Sequence, residues 1–262
     1  MPVKRSPRML GWFRFYAERY LARHFHAVRL SRTGRPDLEA ARGRPVIVYL
    51  NHPSWWDPLV GLVLAVRLFP GRRQLAPIES AALEKYKFFE RLGFFGIEPG
   101  TARGARRFLA VAEKLLAAPD TALWVTAGGR FADPRERPVR LQAGLGHLAS
   151  RLKDAAVFPL ALEYPFWNER FPEALARFGE PVFLGEKRTP AEWTALLEER
   201  LAATQDALAA EALSRDPDRF EALIGGHAGV GGIYDVWRRL RAGLRGERFR
   251  PEHGLGQERG IR

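Results

Sequence analysis

The sequence predicts an α/β fold. Short apolar, β-branched runs alternate with helix-like stretches through the first 185 residues, the pattern of strands packed beneath helices. The composition agrees: 46% of the 262 residues are hydrophobic and 27% charged. A chain of this length and polarity forms one large domain, or one domain with appendages, around a substantial core.

The elements follow in order. Residues 1–8 are basic and read as frayed. Over residues 9–30, Leu10, Phe13, Tyr20, Leu21, Phe25 and Val28 recur at helical spacing among Arg14, Glu18, Arg19, Arg23 and Arg29, while Trp12, Phe15 and Tyr16 widen the apolar side. Two readings fit this stretch: an amphipathic helix lying in a membrane interface, or an N-terminal helix packed on the core. His24 and His26, two apart, point to different sides of such a helix and read as surface residues without a metal. A polar, Gly- and Pro-containing loop covers residues 31–44. Val46, Ile47, Val48, Tyr49 and Leu50 form a buried strand, and His52 lies just past its end. Asp57, followed by Pro58 and the apolar run of residues 59–69, marks a helix start, since a carboxylate can cap the first turn and proline suits its beginning.

His52 and Asp57 therefore share a strand-to-helix turn. On a continuous helix, positions five apart differ by about 140° and would not meet. In a compact turn containing Pro53 they can. An imidazole held by a carboxylate on one ring nitrogen has its other nitrogen free to take a proton from a hydroxyl.

Beyond Pro70 and Gly71, residues 74–78 read as a strand and 79–91 as a helix. A short strand and a helix capped by Thr101 occupy residues 92–109, with Gly100 and Gly104 leaving room for a ligand against the backbone. Arg103, Arg106 and Arg107 sit on that helix start, as an anion clamp or as a solvated face. Thr121–Thr126 reads as a strand leading into a glycine turn, Gly128 and Gly129, then Arg130, a loop and a helix carrying Gly144, Gly146 and His147. His147 reads as a packed or capping residue. Residues 155–162 form a strand broken by Pro159, which points to an edge or a bulge. Glu163, Tyr164, Phe166 and Trp167 continue from it into a loop, where the aromatics line either a lipid pocket or the core. A last short strand spans residues 181–184 and a helix residues 190–212. Residues 216–224 read as a short helix, 225–232 as a glycine-rich linker, and 234–244 as a basic helix before a polar tail.

The absence of cysteine excludes disulfides, thiolate zinc sites and a cysteine nucleophile. The net charge of +12 suits a polyanionic partner, a membrane surface or nucleic acid, but the arginines are spread along the chain and no nucleic-acid module is present. No run of 18 apolar residues occurs, so neither a transmembrane helix nor a cleavable signal is expected.

The stretch NHPSWWD, with His52-x-x-x-x-Asp57 after a hydrophobic strand, resembles the first motif of the glycerolipid acyltransferase superfamily, to which lysophosphatidic acid acyltransferases belong. The resemblance spans residues 44–184, with four motifs in order. LGFFGIEPGTARGARRFL is a loose form of the second. AGGRFADPRERP occupies the place of the third but has Ala127, Gly128 and Gly129 where the family carries Pro-Glu-Gly, so the glutamate that helps hold the acceptor is missing. AAVFPLAL, with Pro159, is similar to the fourth, which borders the acyl-chain pocket.

The resemblance implies a mixed, largely parallel sheet flanked by helices, with the site at the strand ends. It implies an O-acyltransferase that moves a fatty acyl group from acyl-CoA or acyl carrier protein to a hydroxyl of a lysophospholipid or another lipid-like alcohol, with His52 as general base and Asp57 as its partner. Ser54, Trp55, Arg103, Arg106, Gly128, Gly129, Arg130 and Pro159 would contact substrate, with no metal and no cofactor beyond the thioester co-substrate. The missing glutamate keeps a second reading open, a non-catalytic lipid-binding protein of the same fold. The organisation expected is an amphipathic membrane-associating helix (1–30), an acyltransferase-like core (31–186), a C-terminal helical extension (187–245) and a disordered tail (246–262), peripheral at the cytoplasmic face of the cell membrane.

Overall fold

A computed structural model describes residues 6–226; the expectations for residues 1–5, the end of the glycine-rich linker, the basic helix and the tail lie outside it. The chain runs α1 (Pro7–His24), β1 (Ala27–Ser31), β2 (Val46–Leu50), α2 (Asp57–Leu68), β3 (Arg73–Glu79), α3 (Ser80–Lys85), α4 (Phe88–Leu92), β4 (Phe94–Ile97) and α5 (Ala102–Leu116). It continues through β5 (Thr121–Thr126), α6 (Ala143–Arg151), β6 (Ala156–Glu163), β7 (Glu173–Phe178), β8 (Val182–Phe183) and α7 (Pro190–Leu213) to β9 (Phe220–Gly225).

The strands form one mixed sheet in the order β4-β3-β5-β2-β6-β7-β1-β9, with β8 added beside β6. β4, β3, β5, β2 and β6 run parallel, so their carboxyl ends share one edge. β7 is antiparallel to β6, β1 is parallel to β7, and β9 is antiparallel to β1. β2 lies between β5 and β6, and all five of its residues are buried. Strand alternation divides its side chains between two layers. Val46, Val48 and Leu50 join a core beneath α1 and α2, while Ile47 and Tyr49 join a second core beneath α5, α6 and α7. The Tyr49 hydroxyl donates to the Leu197 carbonyl of α7 at 3.0 Å, so even this buried polar group is satisfied.

Four expectations are corrected. The N-terminal helix, read over residues 9–30, stops at His24, and its expected end lies in β1 within the sheet; Phe25 already has extended dihedrals. β1 and β9 pair in the same sheet as β2, so the sheet runs across the divisions expected at residues 30 and 187. Residues 216–224, read as a short helix, form only one 3-10 turn, Pro217–Arg219, capped by the Asp216 side chain, before strand pairing with β1 takes over. Pro159 is neither at an edge nor in a bulge: it sits opposite Tyr49 on β2. Its carbonyl accepts from the Gly179 amide, so its missing N–H falls on the side where β8 has ended and β7 has not begun, and no ladder bond is lost.

Candidate active site

The turn after β2 is built from both of its neighbours. Buried Asn51 exchanges two hydrogen bonds with Leu162 of β6, its Nδ2 donating to the carbonyl at 3.0 Å and its Oδ1 accepting from the amide at 2.8 Å. From the β5 side, the Ala127 amide donates to the Leu50 carbonyl, and the Ala132 amide to the His52 carbonyl at 3.0 Å. The segment bearing His52 is thus clamped from both sides.

His52 Nδ1 lies 2.5 Å from Asp57 Oδ2. A carboxylate only accepts, so Nδ1 carries the proton and Nε2 presents a lone pair. Nε2 makes no bond within the described residues. His52 lines a cleft of about 50 Å³ together with Asn51, Gly128, Arg130, Arg140 and Gln205. The Phe131 ring lies against the imidazole, centroids 4.1 Å apart and planes 30° from parallel, and is itself more than half exposed.

Asp57 is 1% exposed and is the first residue of α2. Its carboxylate does not cap that helix. Oδ2 takes the His52 ring and the Ser54 amide at 3.1 Å, and Oδ1 takes the Tyr164 hydroxyl at 2.6 Å. Burial, the Asp57 charge and this hydrogen bond hold the Tyr164 hydroxyl well above the ordinary phenol range, so it stays protonated and donates.

The other expected site residues divide by topology. Ser54 acts inside the turn, its amide on Asp57 and its hydroxyl accepting from the Trp56 amide. Trp55 is 84% exposed and does not line the cleft. Gly128 and Arg130 reach the cleft because β5 borders β2, but the Arg130 guanidinium is already engaged by Glu136. Gly129 adopts φ +68°, a turn that favours glycine, whereas a Cβ at Gly128 would meet only the Arg140 carbonyl at 3.6 Å.

The structure does not bring the second and fourth motifs into the cleft. α5 follows β4, which β3 and β5 separate from β2, roughly 14 Å away at normal strand spacing. Arg103 and Arg106 are exposed there and line no part of the cleft; Arg103 lies 3.9 Å from Glu98. The space at Gly104 belongs to the chain itself, since a Cβ there would fall 1.8 Å from the Glu98 carbonyl oxygen. Pro159 is buried between Tyr49 and Gly179 and does not border the cleft. His147 is exposed on α6, neither packed nor a cap. His26 is not a surface residue: its side chain is 11% exposed and its Nδ1 lies 2.5 Å from the Glu173 carboxylate. Sequence reasoning missed Tyr164 as a partner of Asp57, because nothing local ties positions 107 residues apart.

No protein-family model matches the chain, and no curated protein matches it. Among solved structures the chain is similar to the 1-acyl-sn-glycerophosphate (LPA) acyltransferase of Thermotoga maritima, at 15% identity and a TM-score of 0.49, over 77% of this chain and 80% of that one.

Proposed function

We propose that this chain is an O-acyltransferase that moves a fatty acyl group from a thioester to the hydroxyl of a lipid-like alcohol. The observation that carries the reading is the His52–Asp57 pair, held in a clamped strand-to-helix turn with Nε2 unbonded and His52 on a cleft wall. In this reading Nε2 takes the proton of the acceptor hydroxyl as its oxygen attacks the thioester carbonyl. The carbon–sulfur bond then breaks, and the imidazolium returns the proton to the departing thiolate. Asp57 keeps the ring in the tautomer that accepts at Nε2.

The cleft also bears on the acceptor. Gly128 supplies no carboxylate, and the guanidinium groups on the wall are committed, Arg130 to Glu136 and Arg140 towards Glu198 at 3.5 Å. A wall of paired charges fits an uncharged or zwitterionic headgroup better than a phosphate dianion. At about 50 Å³ the cleft is small, and the exposed Phe131 ring lies against the imidazole beside it. That ring stacked on the imidazole, with the missing glutamate at Gly128, is what favours the second reading, a lipid-binding protein that does no chemistry.

One assay separates the two: thiol release from acyl-CoA or acyl carrier protein thioesters with a panel of lysophospholipid, glycolipid and alcohol acceptors. Acceptor-dependent release that falls about 10²–10⁴-fold in His52→Ala, at unchanged melting temperature, supports the transferase. A stable His52→Ala protein working at the parent rate sinks it.

No helix among the described residues is long and apolar enough to cross a membrane. The surface of α1 nonetheless exposes Trp12, Phe15 and Tyr16, and we read it as seated in the headgroup region at the cytoplasmic face. Deleting the whole segment would remove buried Leu21, Phe25 and Val28. The Trp12→Ser, Phe15→Ser double variant tests the point instead: it should float with anionic vesicles more weakly than the parent, and equal flotation would place the contact elsewhere.

A further inference from the structure

Asp57 is buried almost completely, and a buried carboxylate needs its oxygens satisfied. Two donors fall on Oδ2, the His52 ring and the Ser54 amide, both from the same turn. Oδ1 has one donor among the described residues, the Tyr164 hydroxyl at 2.6 Å, and it arrives from a different element. Tyr164 is the first residue past β6 and stands two positions beyond Leu162, which Asn51 pins to the end of β2. Its ring is braced by Phe25, centroids 5.7 Å apart, and Phe25 packs edge-on against Trp56 at 5.0 Å. The hydroxyl therefore has a fixed origin.

A carboxylate turns on a broad torsion, so an oxygen held on one side only does not define its plane. Holding Oδ1 from β6 while Ser54 holds Oδ2 from the turn fixes that plane, and with it the direction in which His52 Nδ1 donates. The same hydrogen bond draws negative charge away from the side facing the imidazole, which tempers how strongly the pair holds a proton.

We propose that Tyr164 is a positioning residue of the His52–Asp57 pair, setting both the orientation of the carboxylate and the proton affinity of the imidazole. It acts through Asp57 and touches no reacting atom. Its kinetic consequence rests on the acyltransferase reading; its effect on the histidine does not.

The test uses the full chain with Tyr164→Phe, which removes one oxygen and keeps the ring. The His52 ring proton signals, assigned by their loss in His52→Ala, are followed by NMR against pH. The titration should move upward by about half a pH unit or more, because the carboxylate then offers its charge to the imidazole alone. In the transfer assay kcat should fall about tenfold with KM for the thioester unchanged, as expected for one lost charge-assisted bond that orients the base.

Tyr164→Phe leaves Oδ1 without a donor and can unfold, so a second substitution guards the test. A fluorinated tyrosine placed at position 164, with a more acidic hydroxyl and nearly the same shape, should move the His52 titration the opposite way. A titration that stays at the parent value in every variant that folds overturns the proposal, whatever happens to the rate. A parent that transfers no acyl group, but whose His52 signals shift as described, overturns the transferase reading and leaves the role of Tyr164 standing.

Discussion

Among the described residues, two histidines hold a buried carboxylate at 2.5 Å through Nδ1: His52 with Asp57, and His26 with Glu173. The pairs match in distance and differ in everything around it. Glu173 is shared with a cation, Arg29, whose Nε lies 2.8 Å from its other oxygen and whose guanidinium sits 5.7 Å from the Trp167 ring. Asp57 is shared with neutral donors only, the Tyr164 hydroxyl and the Ser54 amide. His26 stands just ahead of β1, its amide and carbonyl committed to Pro172 and Gly226, and it lines neither of the two clefts described. His52 stands past the carboxyl end of a central strand, on the wall of one. The other, about 480 Å³ and open, lies at the far end of α2, lined by Arg67 and Glu221 among others. A histidine–carboxylate contact is therefore no mark of a base by itself. It becomes one where the second ring nitrogen meets a space that a hydroxyl can enter, at the edge where parallel strands end.

The sharpest break of this comparison is at Asp57. Asp57→Asn keeps an oxygen for the His52 ring and the Ser54 amide, with its NH2 turned to the Tyr164 hydroxyl, but it carries no charge to stabilise the imidazolium formed when Nε2 takes a proton. Transfer should fall by about 10²–10⁴-fold, as for His52→Ala, and the double variant should be no worse than the single ones, because the two groups act as one unit. A double variant that loses the product of the two separate factors would mean that they act independently. The matching change at His26 should leave the transfer rate at the parent value.

Local pattern sufficed for the elements that build this edge. Val46–Leu50, Thr121–Thr126 and the run ending at Leu162 are apolar and β-branched or aromatic, and Asp57–Pro58 marks the start of α2. What escaped was decided by partners far along the chain. Glu173–Phe178 reads EALARF, a sequence of helix formers, and becomes β7 only because β6 and β1 lie on either side of it. AVRLS becomes β1 in the same way. Within the site, the contact of His52 with Asp57 spans five residues and could be anticipated from the turn, while Tyr164 reaches Asp57 across 107 and His26 reaches Glu173 across 147. The arginines of α5 read as an anion clamp or a solvated face from local spacing alone, and they do not reach the cleft because two strands intervene.

The smallest expected effect, and the one that tests whether the second pair is structural, is at His26. Its pKa is raised, first by the hydrogen bond to Glu173, with the charges of Glu173 and Glu169 adding, against burial and Arg29. A histidine whose folded value lies above its unfolded value of about 6.5 contributes stability in full below that pH and loses the contribution as pH rises through the folded value. The parent should therefore lose thermal stability as pH climbs from about 6.5 into the alkaline range. His26→Asn removes the titrating group and retains a hydrogen-bonding side chain. It should be less stable than the parent by about 1–3 kcal/mol below pH 6.5, the scale of a bond to a charged partner. The gap should narrow on the alkaline side, where the parent keeps only a neutral bond to Glu173 and Arg29 remains beside the carboxylate in both proteins. Denaturant unfolding at a series of pH values measures this directly. A gap that stays constant from pH 5.5 to pH 9, or widens, would show that protonated His26 does not hold this corner of the sheet, and the contrast with His52 would then need another basis.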